Sequence, residues 1–301
     1  MNGRADGILS THQVRNIGGP GRAARRLAAV AAAGTAAALL AAGCAAGKAG
    51  GQGSTGSGIS PGQAITLASQ QAKHATSFSS SLSIKMSGMA SGTMAGTLKM
   101  RTRPLLFDAD FNTMNVGGQS LPGGIEEILT GHTLYLKMPA LAQQLGKPWV
   151  KFSFAELQHG TGISLTQIIQ QAQQNNPLVQ MQMLASAKNV RVAGHQVLDG
   201  VQTTHYTGTY TVAAALARLP SSLRATERKG LQTLGVTSVQ FGVWIDGQHQ
   251  ARKIVAYETG TSEHATVTLT VTGVNQPITV TLPSARKVAT IPASALKGGG
   301  L

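Results

Sequence analysis

The side chains that could do chemistry are arranged in ways that exclude the common catalytic sites. His195 and His205 could meet across a hairpin, but two histidines alone make a poor metal site. Glu126 and Glu127 are adjacent, so on a strand they face opposite ways and cannot act as a catalytic pair. The chain also lacks a nucleophile elbow, a zincin helix, a P-loop and a dinucleotide fingerprint. We therefore expect no enzyme, no cofactor and no metal site.

The single cysteine, Cys44, lies in a context that favours a different chemistry. Arg22, Arg25 and Arg26 precede an uncharged apolar run, Leu27–Ala42, and small residues stand directly before the cysteine. The run is shorter than the roughly 20 residues that a membrane-spanning helix needs. This order of basic, apolar and small residues is typical of a secretory signal peptide.

The sequence "LAAGC", which ends at Cys44, resembles the lipobox of bacterial lipoproteins. Its aliphatic residue, Leu40, stands one place earlier than in the consensus. A thiolate can be converted into a thioether that carries diacylglycerol, and each buried methylene contributes about 0.8 kcal/mol to membrane anchoring. We predict that residues 1–43 are a lipoprotein signal peptide and that Cys44 is lipidated. A plain secretory signal is the alternative.

Composition narrows the class of protein further. Charged residues make up 12% of the chain, against the usual quarter, and hydrophobic residues make up 42%, which does not fit a disordered protein. Without residues 1–43 the chain keeps 20 basic and 10 acidic residues, a net charge of +10. Aromatic residues are only 4%, too few for a nucleic-acid stacking platform, so we expect no nucleic-acid partner.

The chain after the cysteine divides into a tether and one domain. Residues 44–58 are rich in Gly and Ser, which is typical of a flexible linker. Residues 59–301 are predicted to form a single domain. Its first helix has Ser60 as N-cap, Pro61 at the first helical position and Gln63 completing a capping box, and it is expected to end near His74.

Most of the domain has the alternating pattern of antiparallel strands joined by short turns. Strand runs are interrupted by three helical segments and do not alternate with helices one to one, so a parallel doubly wound sheet is excluded. We predict an α+β fold, with an antiparallel sheet of roughly ten strands and helices packed on one face. Asp246 and Gly247 are predicted to form a hairpin turn, with Gly247 at positive φ.

The middle helices carry the densest apolar side chains and are the candidate ligand-binding region. One helix presents Leu165, Ile168 and Ile169, and the next, which begins near Pro177, presents Met181, Met183 and Leu184. Methionine suits both irregular cores and adaptable binding surfaces, so an ordinary packed core remains the alternative.

Two hairpins in this sequence resemble those of the LppX/LprG lipoprotein family of actinobacteria. The late hairpin is "SVQFGVWIDGQHQARKIV", and the earlier pair is "TLYLKMP" with "KPWVKF". Related half-barrels occur in the LolA/LolB lipoprotein carriers. The resemblance implies a curved antiparallel sheet, helices on its concave face, and an apolar cavity that binds acylated lipid or glycolipid without catalysis.

We therefore expect an exported monomer, anchored to the outer face of the cell membrane through Cys44, that carries or presents lipid in the envelope. The alternative is a non-catalytic interaction or sensor module with a filled core. The sequence identifies neither the lipid nor a partner transporter.

Overall fold

The computed structural model describes residues 58–88, 91–153, 177–219, 235–261 and 263–290, together with positions 155, 221, 224, 225, 228, 231 and 232. Thirteen strands form one sheet in this part of the chain. The strands are β1 Ser77–Gly88, β2 Gly92–Thr102, β3 Leu105–Val116, β4 Gln119–Ser120, β5 Ile125–Thr130, β6 Thr133–Lys137, β7 Trp149–Ser153, β8 Lys188–Leu198, β9 Val201–Thr211, β10 Ser238–Asp246, β11 Ala251–Thr259, β12 Glu263–Val274 and β13 Val288–Thr290.

The sheet is curved, open and mixed, with β8 and β13 at its edges. Its order is β13-β7-β6-β5-β3-β2-β1-β12-β11-β10-β9-β8, with β4 paired to β3. The expected ten strands were too few, partly because the short strands β4 and β5 have no strong alternation of their own. The expected antiparallel arrangement is also wrong at one edge, where β13 returns after a long connection and pairs parallel with β7.

Four described helices accompany the sheet: α1 Pro61–His74, α2 Pro139–Leu145, α3 Pro177–Leu184 and α4 Val212–Arg218. The predicted start of α1 is confirmed, because Ser60 Oγ accepts from the backbone N–H of Gln63 while Gln63 Oε1 accepts from the backbone N–H of Ser60. Helix α4 is capped by Thr211, whose hydroxyl accepts from the N–H of Ala214. Helix α2, which ends at a left-handed Gly146, was not predicted.

Three helices gather at one end of the sheet. Helix α1 packs against α3 and against β8 and β10, while α4 packs against α3 and β9. These three helices therefore lie at the β8–β10 end of the sheet. That the helices cover one face of the sheet stays a prediction. Their placement on the concave side stays a prediction. No helix within the described ranges is long and apolar enough to cross a bilayer.

Candidate functional site

The predicted ligand-binding residues fall into two groups. Met181, Met183 and Leu184 lie on α3 and are buried, with 0%, 1% and 2% of their surfaces exposed. Leu165, Ile168, Ile169 and Cys44 lie outside the described residues. The structure thus places half of the predicted lining at the centre of the helical layer.

Helix α3 is buried on more than one side. Met181 and Leu184 share a face because they are three positions apart, whereas Met183 points elsewhere, yet all three are buried. Apolar side chains buried on more than one side of a helix are typical of a domain interior, and both α1 and α4 contact α3. These side chains join a large apolar cluster, which we call the helix-covered cluster. It includes Ile65 of α1, Leu216 of α4, and Val243 and Ile245 of β10.

A second apolar cluster lies at the other half of the sheet, and we call it the distal cluster. Its buried members come from β1, β2, β3, β5 and β7: Phe78, Leu98, Met100, Phe107, Ala109, Leu129, Val150 and Phe152. Phe78 of this cluster and Ile84 of the helix-covered cluster are six positions apart on β1, so they share one face. Leu82 and Phe111 pack against both clusters. One face of the sheet is therefore apolar from the β7 half to the β10 half.

A carboxyl group interrupts this apolar face. Glu127 of β5 pairs with Ala109 and Leu136, and it alternates on the strand with Leu129 of the distal cluster. Burial raises the pKa of the Glu127 carboxyl above its usual range. The neighbouring Glu126 points to the opposite face, where Lys137 Nζ lies 3.3 Å from its carboxylate. The prediction that the two carboxyls diverge is confirmed.

Replacing Glu127 by glutamine is expected to raise the melting temperature near neutral pH. A raised native pKa means that the neutral carboxyl favours folding, and this benefit is lost as pH rises through the native pKa. The gain from Glu127→Gln should therefore shrink when melting is measured at about pH 4, where both states of the wild type are more protonated. Glu126→Gln is the control, because burial raises the pKa of Glu126 as well but the Lys137 ammonium offsets part of that cost, so its gain should be smaller. An equal gain at both pH values would contradict this account.

A pocket of about 270 Å³ lies where the start of α1 meets the sheet. Gln202, Thr204 and Tyr206 contribute alternate positions of β9, and His195 and Ile245 come from the strands on either side. His195 Nδ1 lies 3.3 Å from Thr204 Oγ1. Ile59, just before the α1 cap, and the β10–β11 loop also line the pocket. These β9 residues were not predicted from the sequence, although their spacing by two indicates that they share one face of a strand.

His195 and His205, which could have met across a hairpin, do not meet. His195 pairs with Thr204, whereas His205 pairs with Gly194, so the two imidazoles leave opposite faces of the hairpin. His205 instead stacks on Trp244, with ring centroids 3.9 Å apart, and Lys253 Nζ lies 4.9 Å from the Trp244 ring centroid. Burial lowers the pKa of His205, and the positive charge of Lys253 lowers it further. Among the described residues, no group of three or more potential ligands could hold a metal ion.

The β10–β11 loop is held by one carboxylate. Asp246 Oδ1 accepts from the backbone N–H groups of Gln248 and Gln250, each at 2.9 Å, and Oδ2 accepts from the Arg252 guanidinium at 2.7 Å. The predicted turn at Asp246 is confirmed. The predicted positive φ at Gly247 is wrong, because the loop has four residues and its left-handed position falls at His249, with φ 59°.

Substitutions in this loop should therefore have effects opposite to those expected from the sequence. Gly247→Ala should be neutral or stabilising by up to about 1 kcal/mol, because a Cβ there meets nothing within 4 Å and the unfolded chain loses freedom. The left-handed backbone at His249 costs about 1 kcal/mol in any residue with a Cβ. His249→Gly should therefore remove this strain, whereas His249→Ala should leave it in place. Thermal unfolding of the three variants checks this. A clear loss of stability in Gly247→Ala alone would restore the original expectation.

Contacts between side chains stabilise the late hairpin that carries the family resemblance. Trp244 and Lys253 pack together, and Asp246 pairs with Arg252. Gly242 lies beneath the stacked rings, and a Cβ there would come within 2.7 Å of His205 Nε2. These residues stabilise the hairpin, and their side chains other than Asp246 do not line the pocket.

The late hairpin also lies within the part of the chain that is similar to known proteins. The LppX_LprAFG lipoprotein family model matches residues 178–280, which span α3 to β12. The predicted family resemblance is confirmed over this segment. The earlier strand pair, β6 and β7, lies outside the matched LppX_LprAFG residues.

The individual proteins that this chain resembles share 30% or less of its aligned residues. An "uncharacterized 31.2 kDa protein in rplA-rplJ intergenic region" from Streptomyces griseus is 30% identical over 104 residues. That alignment covers 34% of this chain and 34% of the relative, so the chain spans about a third of the curated relative's length. LppX of Mycobacterium tuberculosis is 18% identical, with a TM-score of 0.42 over 73% of this chain and 98% of that one. LprF of Mycobacterium bovis is 15% identical, with a TM-score of 0.46 over 75% and 97%.

Proposed function

We propose that this chain is an exported lipoprotein that binds acylated lipid or glycolipid on the apolar face of its sheet, for transfer or presentation in the cell envelope. The observation that carries the proposal is the continuity of that face. Leu82 and Phe111 connect the helix-covered and distal clusters, so an acyl chain could extend across several strands of this face. The face includes two carboxyl groups, those of Glu127 and of the fully buried Glu258, which pairs with Val239 and Ala265. The LppX_LprAFG match over residues 178–280 supports the same class of protein.

Anchoring through Cys44 is part of the proposal. The lipobox-like sequence would hold the domain at the outer face of the cell membrane, with residues 44–58 as its tether. The chemistry required is binding and release, which needs no nucleophile or metal. The lipid partner is expected to contact apolar side chains along its acyl chains and polar side chains only at its headgroup.

Lipid extraction tests this function directly. The full-length protein would be purified from membranes in a mild detergent, extracted with organic solvent and analysed by mass spectrometry. The expected result is a stoichiometric acylated lipid in addition to the lipid covalently attached to the chain. A protein that is cleanly folded and carries only its covalent lipid would contradict the proposal.

A second candidate function is a non-catalytic interaction or sensor module. The burial of Met181 and Met183 favours it, because these side chains are only 0% and 1% exposed and belong to the helix-covered cluster. Such a module would have a close-packed interior and would purify without lipid. The same extraction therefore separates the two functions.

A further inference from the structure

The pocket beside α1 presents several hydrogen-bonding side chains and no free anion. Asp246 is its only carboxylate, and both oxygens of that group are engaged by loop N–H groups and by Arg252. The remaining polar groups are imidazole, amide and hydroxyl groups from His195, Gln202, Thr204, Tyr206 and His249. Each of these groups can donate a hydrogen bond to an acceptor oxygen of a ligand, and no free carboxylate in the lining would repel an anion.

The pocket borders the apolar interior. Ile245 lines the pocket and belongs to the helix-covered cluster, with 3% of its surface exposed. Tyr206 also lines the pocket and packs against that cluster. A polar mouth above an apolar interior matches the two ends of an amphiphile, with its headgroup outside and its chains inside.

The rim of the pocket is the point where the described domain begins. Ile59 lines the pocket, and residues 45–58 separate it from Cys44. If these residues form the Gly/Ser-rich linker predicted from the sequence, their r.m.s. reach would be about 20 Å. An anchor on Cys44 would therefore keep the mouth of the pocket close to the headgroups of the bilayer.

We propose that this pocket binds the phosphate group of a lipid headgroup while the acyl chains occupy the apolar face; the proposal rests on the lipid-binding function proposed above. His195, with Thr204 beside it, and His249 on the opposite loop would contact the phosphate oxygens. The pocket then selects phosphate-bearing lipids over neutral lipids with the same chains.

A competition experiment tests the selection. Full-length protein would be equilibrated with mixed micelles of dioleoyl phosphatidic acid and dioleoylglycerol, which differ only in the phosphate, then captured, and its lipids quantified by mass spectrometry. We expect phosphatidic acid to be enriched about tenfold or more over the micelle composition, as for hydrogen bonds to a charged group. A double variant, His195→Ala with Thr204→Val, should bind less phosphatidic acid and bring its ratio to dioleoylglycerol close to that of the micelles.

Two further variants keep the test decisive. His249→Asn retains a residue that tolerates positive φ and should lower the enrichment even if the double variant is unstable. Arg191→Gln is the control. It removes an exposed charge from β8, the strand that carries His195, at a position that pairs with Thr207 and lies outside the pocket. If Arg191→Gln lowers the enrichment as much as the pocket variants do, general surface charge explains the selection and the proposal fails.

The remaining outcomes separate this proposal from the one it rests on. Equal binding of both lipids would overturn the headgroup site and leave the lipid-binding function standing. Binding of neither lipid would overturn both. A third arm adds excess glycerol 3-phosphate; if that soluble compound removes the enrichment and binds as strongly as the lipid, the pocket serves a free phosphate metabolite, and the headgroup proposal is wrong.

Discussion

Replacing Cys44 by alanine is expected to move the protein from the membrane fraction to the soluble fraction. The thiol is the only side chain of this chain that can become a diacylglyceryl thioether, and without it the signal peptide cannot be processed as a lipoprotein signal. Fractionation, together with metabolic labelling by a radioactive or clickable fatty acid, measures the effect. We expect label on the wild type and none on Cys44→Ala.

A matched control uses the departure from the lipobox consensus. Ala41→Leu places an aliphatic residue at the usual position, so it should preserve or increase labelling and membrane association. If Cys44→Ala remains in the membrane fraction to the same extent as the wild type, the protein is retained by another route. The predicted lipoprotein anchor would then be wrong.

Met181→Trp or Met183→Trp is expected to displace bound lipid while the domain still folds. If α3 borders an acyl chain, a bulky side chain enters space that the lipid vacates, whereas in a solid core it would strain the packing by about 1–3 kcal/mol. The pair is needed because the two side chains leave α3 in different directions. Lipid content by mass spectrometry and thermal unfolding of each variant are the two measurements.

Leucine at the same positions provides the control. Met181→Leu and Met183→Leu conserve volume closely, so each should cost less than about 1.5 kcal/mol and should retain the lipid. Unfolding of both tryptophan variants would identify this region as solid core. The interaction module would then replace lipid binding as the proposed function.

Local signals predicted the parts of the fold that depend on local chemistry. Ser60, Pro61 and Gln63 predicted the start of α1 because a capping box is complete within four residues. Pro177 likewise predicted the start of α3. Asp246 was recognised as a turn residue, but the left-handed position depends on loop length, which the sequence does not display, and it falls at His249.

The candidate site could be predicted only in outline. The burial of Met181 and Met183 followed from the density of apolar residues, yet the pocket beside α1 depends on strand register. The register between β8 and β9 places His195 opposite Thr204, and His205, one position along β9, faces the other side and stacks on Trp244. A register different by one position would place other residues opposite each other. Glu127 is hidden from sequence reasoning for the same reason, since its neighbours come from two other strands.

The pairing of β1 with β12 has a consequence for the way this protein is made. Phe78 lies opposite Val274, so roughly 190 residues must be synthesised after β1 before its partner exists, which takes about 10–40 s at about 5–20 residues per second. Contacts this distant in sequence also form slowly once both strands are present. The nascent chain therefore cannot complete its sheet until its last strands have left the ribosome, a delay that would suit passage through a narrow channel if the chain is exported as proposed.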